Sequence, residues 1–396
     1  MPLDRSSLDH AVDSLSDVLR DLAVQIHENP ELRFEEHKAA AWIADTVERH
    51  SGVRVERGTG GLATALNAEI GAGAGPTIAV LAEYDALPEI GHACGHNLIA
   101  AGAVGAFLAL VRHAEDLAGT VRFIGTPAEE GGGGKIELLE ANVFDGVDAA
   151  MMYHPFDRDI LAHRSLACLW LDMKFVGKPS HAAVAPWDGQ SALTACMDTF
   201  RLVDSQRVHF RDGVRVHGFI TDGGQAVNII PEHAACQFSV RAREQDELER
   251  VRAIVERCAR GAALACGVEV EIIPRRGYRD LRSNLAMARR FGTALEELGR
   301  TARLSDERAG NGSTDMGDIS HAIPSIHPCL AICDQGETMC HERRFAEFAK
   351  SKRGIDTMLV AAKAMARTIA DLLEDDSLLA EVKREFAESN NVGPVT

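Results

Sequence analysis

No Cys-x-x-Cys pair occurs among the nine cysteines of this chain, and their number is odd. Zinc-ribbon spacing is therefore absent, and a complete disulfide framework cannot be built. Long apolar runs are missing too. The longest uncharged one, 98–111, falls short of the roughly 18 residues a membrane span requires and predicts a buried helix instead. Basic residues are in deficit, 42 Lys and Arg against 59 Asp and Glu, for a net charge of −17. Nucleic acid is excluded as a partner, because phosphate binding needs a basic face. The first ten residues carry Asp4, Arg5 and Asp9 where a secretory signal would be apolar. The expectation is a reduced, cytoplasmic protein without a membrane partner.

What is present is the mixture of a soluble globular protein, 46% hydrophobic and 26% charged. At about 100–200 residues per domain, 396 residues predict two or three domains. Helical spacing covers 8–26 and 35–48, and strand alternation follows at 53–55 and 62–68. The glycine run 71–76 precedes its strand, whereas a dinucleotide fingerprint would follow one and open a helix. Strands at 77–82, 120–125 and 148–152 then alternate with helices at 97–113 and 135–141, the rhythm of a doubly wound α/β domain. From about 166 the pattern becomes α+β with antiparallel character: strands at 169–175, 214–220, 234–241 and 267–273, and helices at 189–204 and 245–265. Helices at 285–298 and 356–374, a strand at 329–333, and a final helix with a loose tail over 375–396 complete the chain. The simplest organisation is a discontinuous α/β domain, 1–165 with 277–396, interrupted by an inserted domain at 166–276.

Four segments beyond predicted strand ends carry the chemistry, and carboxyl ends of strands are where open α/β sheets bind ligands. The stretch 82–97 holds Glu83, Asp85, Glu89, His92, Cys94 and His96, and 125–135 sets Glu129 and Glu130 beside a glycine turn. Met151-Met152-Tyr153-His154-Pro155 and Cys340-His341 are the other two. Thiolate, imidazole and carboxylate together suit zinc and, less tightly, manganese or cobalt. Adjacent carboxylates point in different directions, so one can bind metal while the other moves protons, as metal-assisted hydrolysis needs. A lone Glu-Glu pair is commonly a solvated turn, and a lone cysteine is commonly core packing. The joint placement of Cys94, His96, Glu129, Glu130 and His154 at three successive strand ends favours the functional reading. His92 stands beside the cluster with its role open, and Cys340, beside His341, is an added candidate ligand for which packing is the favoured reading.

These residues resemble the M20 family of metallopeptidases in its amidohydrolase branch. Ile26-His27-Glu28-Asn29-Pro30-Glu31-Leu32-Arg33-Phe34-Glu35-Glu36 is similar to that family's N-terminal signature. Gly91-His92-Ala93-Cys94-Gly95-His96 is similar to its metal loop, and Pro127-Ala128-Glu129-Glu130-Gly131-Gly132 to its catalytic segment. Gly177-Lys178-Pro179-Ser180-His181-Ala182-Ala183 resembles the motif of its inserted lid. Tyr84-Asp85-Ala86-Leu87-Pro88, Asn97 and Gly312-Ser313-Thr314-Asp315-Met316-Gly317 point toward the aminoacylase-1-like protein 2 and aminobenzoyl-glutamate hydrolase group.

The resemblance implies a doubly wound dimetal-peptidase domain with an inserted α+β lid and dimerisation domain. It implies two divalent metal ions per subunit (Zn2+, Mn2+ or Co2+), with Cys94 bridging and His96, Glu130, His154 and His341 as further ligands. Glu129 would be general base and acid, and His181 would reach a partner subunit's active site to hold the oxyanion. Asn228 and Arg241 match substrate contacts, and Asp85 would orient a ligand. Two departures stand out. Asn97 occupies a position where many relatives carry Asp, and Glu342-Arg343-Arg344-Phe345 replaces the expected Thr-Arg-Glu-Phe. The function expected is metal-dependent hydrolysis of an amide joining an acyl or aryl group to an amino acid or amine, by a homodimer acting on a small molecule. Hydrolytic deamination of an activated aromatic amine on the same metal site and a noncatalytic M20-like scaffold are the alternatives.

Overall fold

Thr77–Ala82 is apolar after its first residue and Thr120–Gly125 is broken only by Arg122 after its first, as strands are when both faces of a parallel sheet are largely covered. In the computed structural model, which describes residues 3–71, 73–306 and 312–391, these strands lie side by side in parallel. The chain divides into two units, Met1–Arg164 with Leu281–Thr396, and Ser165–Asp280.

The first unit is built on a six-stranded sheet. Its parallel part runs Thr120–Gly125, Thr77–Ala82, Ala149–Met151, Ser325–Ile326. Leu66–Gly71 joins Thr120–Gly125 antiparallel, and Glu56–Arg57 closes that edge. From Thr77–Ala82 the chain crosses to one neighbour through the helix His96–Val111, then returns to the other neighbour through Gly134–Glu140. The strand order therefore reverses at Thr77–Ala82, and such a switch point opens a crevice at the carboxyl ends of the strands. His96–Val111 is buried from His96 to Leu110, so it is apolar all round rather than amphipathic. Gly102 lets it seat closely, since a Cβ there would lie 2.7 Å from the Tyr153 ring. His154–Phe156 and Cys329–Ala331 form a separate parallel pair just past the sheet.

The second unit is a four-stranded antiparallel sheet in the order Glu269–Tyr278, Ala167–Val176, His233–Ala242, Arg215–Asp222. Leu169, Leu171, Met173 and Phe175 alternate onto one face, where they share a core with the helices Ala192–Gln206 and Gln245–Cys266. Arg215–Asp222 is an edge strand exposed along most of its length.

Most expected elements are present within a few residues. The strand expected at 53–55 is not. Val55 N–H instead donates to Glu48 Oε1 at 3.0 Å, tying the segment to the preceding helix, and pairing begins only at Glu56. The helix expected over 8–26 breaks at Leu15 into Arg5–Ser14 and Ser16–Glu28. The final helix is Asp376–Asn391, and the tail expected beyond it, 392–396, lies outside the described residues.

Candidate metal centre and active site

The loop after Thr77–Ala82 turns into the buried helix at Gly95, whose φ of 80° favours glycine. A Cβ at Gly95 would also lie 2.8 Å from Pro155 Cγ, so glycine is needed for space as well as for conformation. That turn sets Cys94 and His96 at the helix start. His96 Nδ1 donates to Asp85, 2.9 Å from Oδ1 and 3.0 Å from the backbone oxygen. The other carboxylate oxygen of Asp85 accepts the Glu130 N–H at 2.8 Å. With Nδ1 so engaged, His96 Nε2 is left buried without a hydrogen-bond partner, 3.5 Å from Glu83 Oε2 and 3.9 Å from Glu129 Oε2. Burial opposes charge on Asp85, but His96, the Glu130 N–H and Lys135 outweigh it and hold its carboxyl below the ordinary range.

His154 uses Nδ1 on the Pro155 carbonyl at 2.6 Å, which turns Nε2 toward Cys94 Sγ at 3.4 Å. Burial, then the neighbouring His96, push His154 down to about 4, so its ring is neutral and able to ligate at physiological pH. His327 follows the strand Ser325–Ile326 and sets its ring edge-on to His154, 5.3 Å between centroids.

Glu129 and Glu130 follow a strained residue. Ala128 has φ 61°, its oxygen receives the N–H groups of Gly132 and Gly133, and its own N–H donates to Glu36 Oε1 at 2.9 Å. Glu36 also accepts from Phe34 N and Thr64 Oγ1, and burial followed by repulsion from Asp85 raises its carboxyl to about 7. Glu129 itself is buried. Desolvation, then Glu83, Glu130 and Asp315, push its proton affinity well above the usual carboxylate range. Behind it lies a fully buried ion cluster, in which Lys135 Nζ bonds Glu83 and, at 2.7 Å, Asp315, while Lys135 N–H also donates to Asp315 at 3.0 Å.

His341, at φ 71°, anchors its N–H on the Ala93 oxygen at 2.9 Å and brings Nε2 to 3.4 Å from Glu130 Oε1. The structure thus brings together Cys94, His96, Glu129, Glu130, His154, His341 and Asp85. Two donor groups share one sulfur, Cys94 with His96 and Glu130, and Cys94 with His154 and Cys340, the ligand atoms of each lying within 4.8 Å of one another. A third cluster, Glu83, Glu129 and Asp315, has the Lys135 ammonium bonded to two of its members, so a cation is already supplied there. The residues fit a pair of divalent cations on three counts. The donors are mixed sulfur, nitrogen and oxygen, one sulfur belongs to both groups, and His96 Nε2 and Glu130 Oε1 are buried without hydrogen-bond partners. Charge agrees, since Glu83, Asp85, Glu129 and Asp315 all act on the single Lys135 ammonium, and Glu130 adds a further carboxylate beside Glu129.

Asn97 directs its amide to the Ala23 and Ala349 oxygens at 3.1 and 2.9 Å. An aspartate there would meet two carbonyls without a proton to give, which accounts for the amide at this position. Within the second unit, His181 and Asn228 stand on facing segments, with Ala182 N–H donating to the Asn228 oxygen at 2.9 Å. Arg241 is half-buried on His233–Ala242, paired with Cys168 and Arg215. Sequence reasoning passed over Glu36, Lys135, Asp315 and His327 as individual site residues. Glu36 and Asp315 lie within motifs that carry the family resemblance and Lys135 stands beside a glycine-rich, acidic turn, so those three had a signal in the sequence.

A switch-point crevice with two donor groups and a buried carboxylate beside them defines a metal-dependent hydrolase. The family described as Peptidase family M20/M25/M40 matches residues 79–371, and the chain belongs to it. It is 35% identical to the Xaa-Arg dipeptidase of Mus musculus, over 95% of this chain and 90% of that one. It is 30% identical to a p-aminobenzoyl-glutamate hydrolase chain of Escherichia coli (strain K12), over 98% and 95% of the respective chains. In fold it is similar to the Bacillus subtilis YXEP protein, described as a dinuclear metal binding peptidase from the M20 family, with a TM-score of 0.71 and 22% identity over 91% of this chain and 99% of that one.

Proposed function

We propose that the protein is a dinuclear amidohydrolase that cleaves the amide between an acyl or aryl group and an amino acid or amine. Dipeptides, N-acyl amino acids and aminobenzoyl-glutamate-like compounds are the substrate class. The observation that carries this reading is Asp85, which holds His96 and the Glu130 backbone with its two oxygens and so ties the Cys94 donor group to the turn that carries Glu129. Cys94, shared by both donor groups, together with His96, Glu130, His154 and His341 would hold two zinc, manganese or cobalt ions. Such ions polarise a carbonyl and acidify water. Glu129, kept dry and surrounded by carboxylates, takes the proton from the attacking water and returns it to the departing amine. Asp85 keeps the His96 ring in one tautomer throughout.

His181 supplies a donor for the oxyanion from a partner subunit, and Asn228 and Arg241 receive the substrate, Arg241 favouring a free carboxylate. Dimerisation through the second unit is supported by its unpaired edge strand, where Phe219 and Ile220 are exposed. All nine cysteines are free thiols, in keeping with a reducing cytoplasm. No helix among the described residues is long and apolar enough to cross a membrane.

The test pairs metal analysis with a screen of N-acyl amino acids, dipeptides, aminobenzoyl-glutamate and aryl amines. Two metal ions per chain and equimolar release of carboxylic acid and amine are expected. Release of ammonia without a carboxylic acid would replace amide hydrolysis by deamination, and a metal-free protein inert to the whole panel would leave a scaffold.

A further inference from the structure

The two donor groups are unequally supplied by the proposed ligand set. The first has Cys94, His96 and Glu130, with His341 Nε2 a further 3.4 Å from Glu130 Oε1. The second has only Cys94 and His154 unless Cys340 is counted, and Cys340 Sγ does lie within 4.8 Å of both their ligand atoms. The backbone explains how two consecutive residues serve two places. With His341 in the left-handed region and its N–H fixed to the Ala93 oxygen, the segment is clamped against the loop that carries Cys94. His341 is then directed to Glu130, and Cys340 to Cys94 and His154.

Distances and donor chemistry agree. Zinc holds sulfur at about 2.3 Å and imidazole nitrogen at about 2.0–2.1 Å in a tetrahedron, so neighbouring ligand atoms stand about 3.5 Å apart. Cys94 Sγ and His154 Nε2 are 3.4 Å apart. Cys340 is half-buried against the apolar cluster of Phe156, Ile160 and Cys329, with its thiol 4.0 Å from the Pro155 oxygen, so packing accounts for its burial but not for the approach of its sulfur to both Cys94 and His154. We infer that Cys340 is a third protein ligand of the metal position formed by Cys94 and His154, giving that position two sulfurs and one nitrogen and a preference for zinc over manganese. Thiolate ligands select zinc, whereas manganese favours oxygen. The inference rests on the dinuclear reading of the site.

The experiment uses the full-length protein, stripped of metal and reloaded with cobalt(II), beside Cys340→Ser and Cys340→Ala. A thermal transition retained in the metal-free variants shows that they fold. Cobalt–sulfur bonds number three in the wild type, two from the bridging Cys94 and one from Cys340. The near-ultraviolet sulfur-to-cobalt band should therefore fall by about one third in both variants. Chelator competition should show one of two zinc ions weakened about tenfold or more, with manganese affinity within about threefold of the wild type. A wild type that binds two cobalt ions, together with variants of unchanged band and zinc affinity, overturns the role of Cys340 alone. A wild type that takes up no cobalt overturns the dinuclear reading and this inference with it.

Discussion

Asp85 and His96 form a fully buried pair, joined at 2.9 Å through Nδ1, and the second oxygen of the same carboxylate receives the Glu130 backbone at 2.8 Å. One side chain thereby sets the orientation of a ligand and the position of the turn that bears another. Asp85→Asn keeps the shape but must present an N–H to one of these two donors. Metal affinity should drop about 10- to 100-fold, with turnover recovering at high metal concentration. Chelator-buffered activity assays measure both, and an unchanged affinity would remove Asp85 from this role.

Glu129→Gln removes proton transfer without removing volume. Turnover should fall about 10²- to 10⁴-fold, the range for a general base, while the two metal ions per chain are retained. Elemental analysis and initial rates on the same preparation decide it; near wild-type turnover would assign the proton to another group.

Lys135 is enclosed with Glu83 and Asp315, and all three side chains are inaccessible to solvent. Lys135→Met strands two carboxylates without their cation. The expected loss of stability is about 3–5 kcal/mol, as when one partner of a buried ion pair is removed, read from urea unfolding of the metal-free protein. A loss below about 1 kcal/mol would mean the carboxylates find other compensation.

Glu36 gives the metal-free protein a pH signature. Its folded value of about 7 lies above the ordinary 4.5, so the folded state binds the proton more tightly than the unfolded chain. Its contribution to stability is complete below about 4.5 and is lost as pH rises through about 7. Glu36→Gln cannot titrate and retains an oxygen for the Phe34 and Ala128 N–H groups. The stability difference, wild type minus variant, should decline between pH 4.5 and 7 in paired unfolding curves, and a flat difference would contradict the raised carboxyl.

The proposed exchange of His181 between subunits has its own signature. Glu129→Ala and His181→Ala proteins should each be nearly inactive. Mixed subunits should regain about one quarter of wild-type turnover, because half the dimers are hybrids with one complete site. Failure to complement, in subunits shown to exchange, would place His181 in its own subunit's reaction.

Long elements were legible in the sequence where one signal dominated. The apolar runs within Thr77–Ala82 and Thr120–Gly125 and the uncharged helix His96–Val111 match the expected positions closely, because near-complete burial leaves few polar residues inside them. Short pairings such as Ser325–Ile326 and His154–Phe156 carry too few residues for periodicity to register. Within the site, the residues at strand ends were readable from their types. The partners of Lys135 were not, since Glu83 and Asp315 lie 52 and 180 residues from it in sequence, and only the folded chain joins them. Glu36 was hidden in the same way, 92 residues before the Ala128 N–H it accepts.

The discontinuity of the first unit has a consequence for biosynthesis. The chain emerges from the ribosome with Thr77–Ala82 and its loop ligands early, then a whole intervening unit, Ser165–Asp280, and only afterwards Asp315, the sheet strand Ser325–Ile326 and His341. Until then Ala149–Met151 has no strand on its outer side, Lys135 lacks one of its carboxylates, and Glu130 has His96 near it but not His341. The nascent protein thus passes a long interval with an unfinished sheet edge that favours chaperone engagement, and the donor cluster is complete only once Cys340 and His341 have joined the earlier residues.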